Sequence, residues 1–129
     1  PHIAGGICLG KAFEYIESID FKAVEVHERD LAVYAAQVLE TFEGLTIIGD
    51  AKNKTSVVSF SLKDLHPFDI GTLLDKQGIA VRTGHHCTQP VMDFFKIPGT
   101  IRASFAFYNT KEEVDILVNG LKRSISMLR

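Results

Sequence analysis

The chain has 129 residues, 46% of them hydrophobic, and its 14 Lys and Arg against 16 Asp and Glu leave a net charge of -2, which fits one soluble domain able to bury a core without disulfides or a metal. That balance offers no basic footprint for nucleic acid and no polybasic patch for a membrane surface. No apolar run approaches the roughly 20 residues that span a bilayer, and the start lacks a basic region followed by an apolar stretch, so the expected setting is cytoplasmic, with neither nucleic acid nor membrane as a partner.

In residues 7–19, Leu9, Ala12, Phe13, Ile16 and Ile19 recur at helical spacing,. Cys8 shares a stripe with Ala12, Tyr15 and Ile19, and is expected to be packing material. A second helix over residues 21–42 puts Val24, Leu31, Ala35, Val38 and Phe42 on one face before Gly44, with His27 near that face as a partly buried helix histidine,. Beyond Gly44 the period changes. Residues 45–48 form a short β-branched run, residues 50–55 a polar turn, and residues 57–62 alternate Val58, Phe60 and Leu62 with Ser59 and Ser61, as a half-buried strand does,.

Pro67 suits a helix start, and Ile70, Leu73 and Leu74 give a short amphipathic helix stopped by Gly78,. A strand over residues 79–83 follows, with Ile79, Val81 and Thr83 on one face, Ala80 and Arg82 on the other, and Gly84 as its break,. Pro90 opens another short helix with Val91, Phe94 and Phe95 available for packing, and Pro98-Gly99 turns the chain,. In residues 100–107, Ile101, Ala103, Phe105 and Phe107 share one face of a strand; Arg102 projects from the other. The last helix opens with Thr110 and Glu113 at capping-box spacing and runs through Val114, Leu117, Leu121, Ile125 and Leu128,. No repeat or low-complexity tract marks an internal boundary, so residues 1–129 read as a single domain. The fold class is α+β, with one sheet face covered by helices.

The chemistry concentrates in VRTGHHCTQP, residues 81–90, on a loop at a strand end,. The thiolate is the reactive form of cysteine, and neighbouring cations favour it. Arg82, His85 and His86 are placed to supply that field to Cys87. The plainer alternative is a small buried hydrophobe, which the polar neighbours on both sides disfavour. Arg102 is the candidate substrate holder, because a guanidinium matches a carboxylate with two charge-assisted hydrogen bonds, and Arg82 can serve similarly. An arginine on a strand is often just a solvated charge. Between Ile101 and Ala103 on a largely covered strand, however, Arg102 should have a partner or a ligand.

A zinc module and a redox-sensing thiol are the competing readings. In an extended loop His85 and Cys87 point together and His86 points away, leaving His66 and Asp69 as the nearby further donors, in no recognised metal spacing. No metal is expected. The two cysteines, Cys8 and Cys87, suggest no disulfide framework and fit a reducing compartment,. A start at Pro1 without methionine hints at a processed or excised piece.

The run GIAVRTGHHCTQP (78–90), followed by TIRASFAFYNTKEEVD (100–115) and preceded by the opening IAGGICLGKAFEYI (3–16), resembles the C-terminal region of the SUF-type, or group II, cysteine desulfurases of the class V aminotransferase superfamily. The resemblance covers essentially the whole chain. It implies the small C-terminal domain of a fold type I pyridoxal-phosphate enzyme, with a short, mostly antiparallel sheet covered by helices. The implied activity takes sulfur from L-cysteine, gives L-alanine and carries the sulfur as a persulfide toward iron-sulfur cluster assembly. Cys87 matches the persulfide-forming cysteine, Arg102 the residue that grips the substrate carboxylate, and Arg82 an arginine near substrate and persulfide. His85 and His86 match flanking histidines. A sulfur-acceptor protein and a homodimer are the implied partners.

Thr88 stands where relatives often carry alanine. The family's large domain, with its Schiff-base lysine, is absent, so this chain alone is expected to bind no pyridoxal phosphate and turn over no cysteine. Selenocysteine and cysteine sulfinate are the substrates of other members of the superfamily, and a purely structural role is the remaining alternative.

Overall fold

The computed structural model describes residues 1–49 and 51–129. Asp50, the first residue of the expected polar turn, lies outside the described residues. In chain order the elements are α1 (Ile3–Glu17), α2 (Phe21–Leu39), β1 (Leu45–Ile48), β2 (Val57–Leu62), α3 (Pro67–Asp75), β3 (Arg82–Gly84), α4 (Gln89–Phe95), β4 (Thr100–Ser104) and α5 (Lys111–Leu128). The four strands pair antiparallel in the order β1-β2-β4-β3. The fold is α+β, as the sequence implies.

Alternation decides which side of the sheet is covered. In β2 the residues Val58, Phe60 and Leu62 are buried, and their neighbours in β4, Ala103 and Ile101, are buried on the same side. Against that side pack Leu31, Ala35 and Leu39 of α2, Ile70 and Leu74 of α3, and Val114, Leu117, Val118 and Leu121 of α5. The ends of these helices are fixed by their own side chains. Asp20 accepts from Lys22 N and Ala23 N at 3.0 and 3.2 Å, and Thr110 and Glu113 close the expected capping box in both directions,. A Cβ on Gly71 would meet Thr83 Cγ2 at 2.6 Å, so glycine lets α3 lie directly on β3. Among the described residues, no helix is long and apolar enough to cross a membrane.

Several expectations shift. α1 starts at Ile3 rather than residue 7 and has no buried residue, so Cys8 is exposed and is not core packing material. Periodicity supplied the amphipathic face but no partner for it. α2 stops at Leu39, because residues 41–42 turn back with Thr41 N and Phe42 N donating to Val38 O and Leu39 O, and His27 is exposed, its Nε2 2.9 Å from Asn109 O. β3 is Arg82–Gly84 and not residues 79–83, since only residues 82–84 find partners on β4. β4 ends at Ser104, where Phe105 N leaves the ladder to donate to Ser56 O at 2.8 Å; Phe107 consequently falls outside the strand and is exposed. In α4 the buried residue is Met92, whereas Val91, Phe94 and Phe95 face outward.

Candidate active site

The uncovered side of the sheet carries the polar residues. In the register of β3 on β4, Arg82 lies directly opposite Arg102, and in that of β4 on β2, Arg102 lies opposite Ser59. Directly opposed residues of an antiparallel pair project from the same face, and like charges placed so repel each other. Arg102 is half-buried and its Nε is buried with no hydrogen-bond partner. A buried guanidinium nitrogen without an acceptor is costly. Two facing cations with an unfilled donor between strands make a place for an anion, and the planar fork of Arg102 suits a carboxylate.

The strand ends just beyond the pair set the rest of the site. A Cβ on Gly99 would meet backbone C, O and Cα of Gly84 at 3.0 to 3.1 Å, so the chain entering β4 touches the chain leaving β3. From there residues 85–88 turn sharply: Thr88 N and Thr88 Oγ1 both donate to His85 O, at 2.9 and 2.6 Å. His86 and Cys87 lie in the left-handed region, with φ of 54° and 61°. Non-glycine residues held there cost on the order of 1–3 kcal/mol each. The loop is therefore not extended, and the simple alternation that grouped His85 with Cys87 and set His86 apart does not hold.

Cys87 is exposed at this rim, which removes the buried-hydrophobe alternative. His85 is exposed as well, and His86 is half-buried. His86 Nε2 lies 3.3 Å from Thr100 O, while its Nδ1 is buried without a partner. Burial lowers the pKa of the His86 imidazole from its ordinary value; the charges of Arg102, Arg82 and His85 push the same way, and the bond to Thr100 opposes them,. Of the residues singled out from the sequence, Arg82 lies on β3, Arg102 on β4, and His85, His86 and Cys87 on the turn that follows β3. The sequence did not point to Ser59, whose place opposite Arg102 depends on strand register, or to the role of Thr100, a buried residue whose carbonyl receives His86.

His66 is spent elsewhere, its Nδ1 accepting from Phe68 N at the start of α3. Among the described residues, no group of three or more His, Cys, Asp or Glu side chains is arranged to hold a metal ion. A groove lined by Ile16, Ile19, Phe21, Val24 and Phe107, with Glu25, Glu28, Arg29 and Lys54 among its charged residues, includes neither Arg82 nor Arg102.

Residues 1–117 match the family model for aminotransferase class-V. Among curated proteins, the chain is 47% identical over 124 residues to a probable cysteine desulfurase of Halalkalibacterium halodurans, covering 96% of this chain and 30% of that protein. It is 45% identical over 125 residues to a probable cysteine desulfurase of Staphylococcus aureus, with the same coverage of 96% and 30%. The chain spans about 30% of the length of these curated relatives. Among solved structures, it superposes on the cysteine desulfurase CsdA of Escherichia coli in an S-sulfonic acid form, with a TM-score of 0.90 and 37% identity over 98% of this chain and 31% of the other. The apo cysteine desulfurase of Thermococcus onnurineus NA1 gives a TM-score of 0.89 and 37% identity over 98% and 32%.

Proposed function

Since the chain belongs to the class-V aminotransferase family, we propose that it is the portion of a cysteine desulfurase that holds the carboxylate of L-cysteine and receives its sulfur. One observation carries this reading: Arg82 and Arg102 face each other across β3 and β4, with a buried, unpartnered guanidinium nitrogen, beside an exposed cysteine turn. Carboxylate recognition explains why two cations are kept together. The nearby thiol explains what is done with the bound molecule.

The residues of this face fit the substrate and not the cofactor. β2, β3, β4 and residues 85–95 contain no lysine, so nothing here forms the imine by which pyridoxal phosphate is held. In the full-length protein pyridoxal phosphate supplies an electron sink, bound by residues beyond this chain. What this chain contributes is orientation and a nucleophile. Arg102 takes the carboxylate, with Arg82 adding charge, and the Cys87 thiolate attacks the substrate sulfur. The carbon-sulfur bond breaks with its electron pair remaining on carbon, which takes up a proton and becomes the methyl group of L-alanine. The sulfur stays on Cys87 as a persulfide, so atoms and electrons balance without an outside oxidant.

The short turn at Cys87 supports the SUF-type assignment, in which a homodimer passes the persulfide to the thiol of a dedicated acceptor protein for iron-sulfur cluster assembly in the cytoplasm. Anaerobic incubation of the full-length protein, loaded with pyridoxal phosphate, with L-cysteine tests the core of the proposal. The expected result is release of alanine and a Cys87 peptide heavier by one sulfur atom, both abolished in Cys87→Ser. A loaded wild-type protein that releases no alanine overturns it.

A further inference from the structure

Resting on the desulfurase reading, we propose that His86 is a positioning residue that sets the distance between the sulfur-accepting thiol and the carboxylate-holding arginine. The turn bearing Cys87 and the strand bearing Arg102 belong to different segments, and the His86 ring bridges them: its Nε2 reaches Thr100 O at 3.3 Å, two residues before Arg102. A carbonyl oxygen only accepts, so Nε2 carries the proton and Nδ1 is a bare acceptor. That tautomer suits the surroundings. Nδ1 is buried beside two guanidinium charges, where a lone pair is tolerated and a second N–H would add repulsion.

The backbone explains why an anchor is needed. His86 and Cys87 both hold left-handed conformations, and two such residues in succession persist only where surrounding contacts over-determine them. Besides the His86 ring, residues 85–88 are held by Thr88 N and Oγ1 donating to His85 O and by Val91 N and Met92 N donating to Thr88 O. Those bonds close the turn and join it to α4, and they do not tie it to β4. With the ring removed, Cys87 keeps its local turn but loses its registration against Arg102.

The test uses the full-length protein loaded with pyridoxal phosphate and follows persulfide on Cys87 in a single turnover. His86→Leu should slow sulfur transfer roughly 100-fold, the scale of an about 1 Å misplacement of a reacting group. The L-cysteine concentration at half-saturation should move little, because Arg102 is untouched. His86→Gln, whose amide nitrogen reaches about as far as Nε2, should restore most of the rate, which a merely volume-filling role would not. Nitrogen-15 spectra of histidine-labelled wild-type protein give a readout independent of turnover and of any variant's folding. His86 should appear as the Nε2–H tautomer. Wild-type transfer in His86→Leu, no rescue by His86→Gln, or an Nδ1–H tautomer overturns the proposal, whereas a wild-type protein that forms no persulfide overturns the desulfurase reading instead.

Discussion

The two faces of one sheet divide the labour of this chain. On one side Val58, Phe60, Leu62, Ile101 and Ala103 are buried beneath α2, α3 and α5, and their packing is complete. On the other, one residue along each strand, Ser59, Arg102 and Arg82 form a row with facing charges and a guanidinium nitrogen left without a partner. Adjacent residues thus answer to opposite demands: one side holds the fold together, and the other, on the desulfurase reading proposed above, keeps binding capacity for a ligand. The single-residue alternation of a strand makes this separation sharp, because a substitution on one face leaves the other largely in place.

The most damaging change should fall on the covered side. Phe60 is fully buried at the centre of β2, and Phe60→Ala should lower unfolding stability by about 3–5 kcal/mol through lost burial and the cavity left behind. Urea unfolding measures it, and a loss under about 1 kcal/mol would mean that this face is not the core. The converse change is Arg102→Leu. It should leave stability within about 1 kcal/mol of wild type, since it removes a repulsive neighbour of Arg82 along with an unfilled donor. Sulfur transfer by the full-length, cofactor-loaded protein should nevertheless drop roughly 100-fold, as removing one member of a desolvated charge pair costs about 2–5 kcal/mol. An Arg102→Leu protein that retains normal transfer breaks the division between the faces.

A smaller effect sharpens the contrast between helices. α5 and α1 both show apolar residues at helical spacing, yet α5 buries Val114, Leu117 and Leu121 of its stripe and α1 leaves Ile3, Ile7, Leu9, Phe13 and Tyr15 exposed. Thr110→Ala, which removes half of the α5 capping box, should cost about 1 kcal/mol in the same unfolding measurement. No change at all would show that tertiary packing alone sets that helix start.

These elements also mark how far sequence can be read. The alternation in β2 and the cap of α5 depend on residues a few positions apart, and both are found where the sequence puts them. The clustering of Cys87 with Arg82 was visible for the same reason. What the sequence did not carry was long-range or non-repetitive. Pairing of Arg82 with Arg102 requires the β3-β4 register, which follows from contacts 16 to 20 residues apart. Successive left-handed conformations at His86 and Cys87 have no glycine or asparagine to announce them,. Periodicity told that α1 is amphipathic, but whether anything covers its face is a property of partners and not of spacing.

The last and smallest effect reads the polar face through pH. Burial, with the charges of Arg102, Arg82 and His85, holds His86 below the ordinary histidine value, against the pull of its bond to Thr100. In the unfolded chain His86 titrates near the usual value of about 6.5. Between the lowered folded value and that point the unfolded state binds more protons, so stability rises with pH across the window. The contribution is fully present above the unfolded value and is lost as pH falls through the folded one. His86→Gln should therefore flatten this part of the stability-pH curve, measured by unfolding midpoints from mildly alkaline to mildly acidic buffer. A carboxylate ligand on the arginines should also flatten it in the wild type, because a bound anion offsets the cations that disfavour a charged imidazole. If the wild-type curve already runs parallel to that of His86→Gln, the imidazole is not held neutral by this face, and the arginines and the turn are less tightly joined than the Thr100 contact indicates.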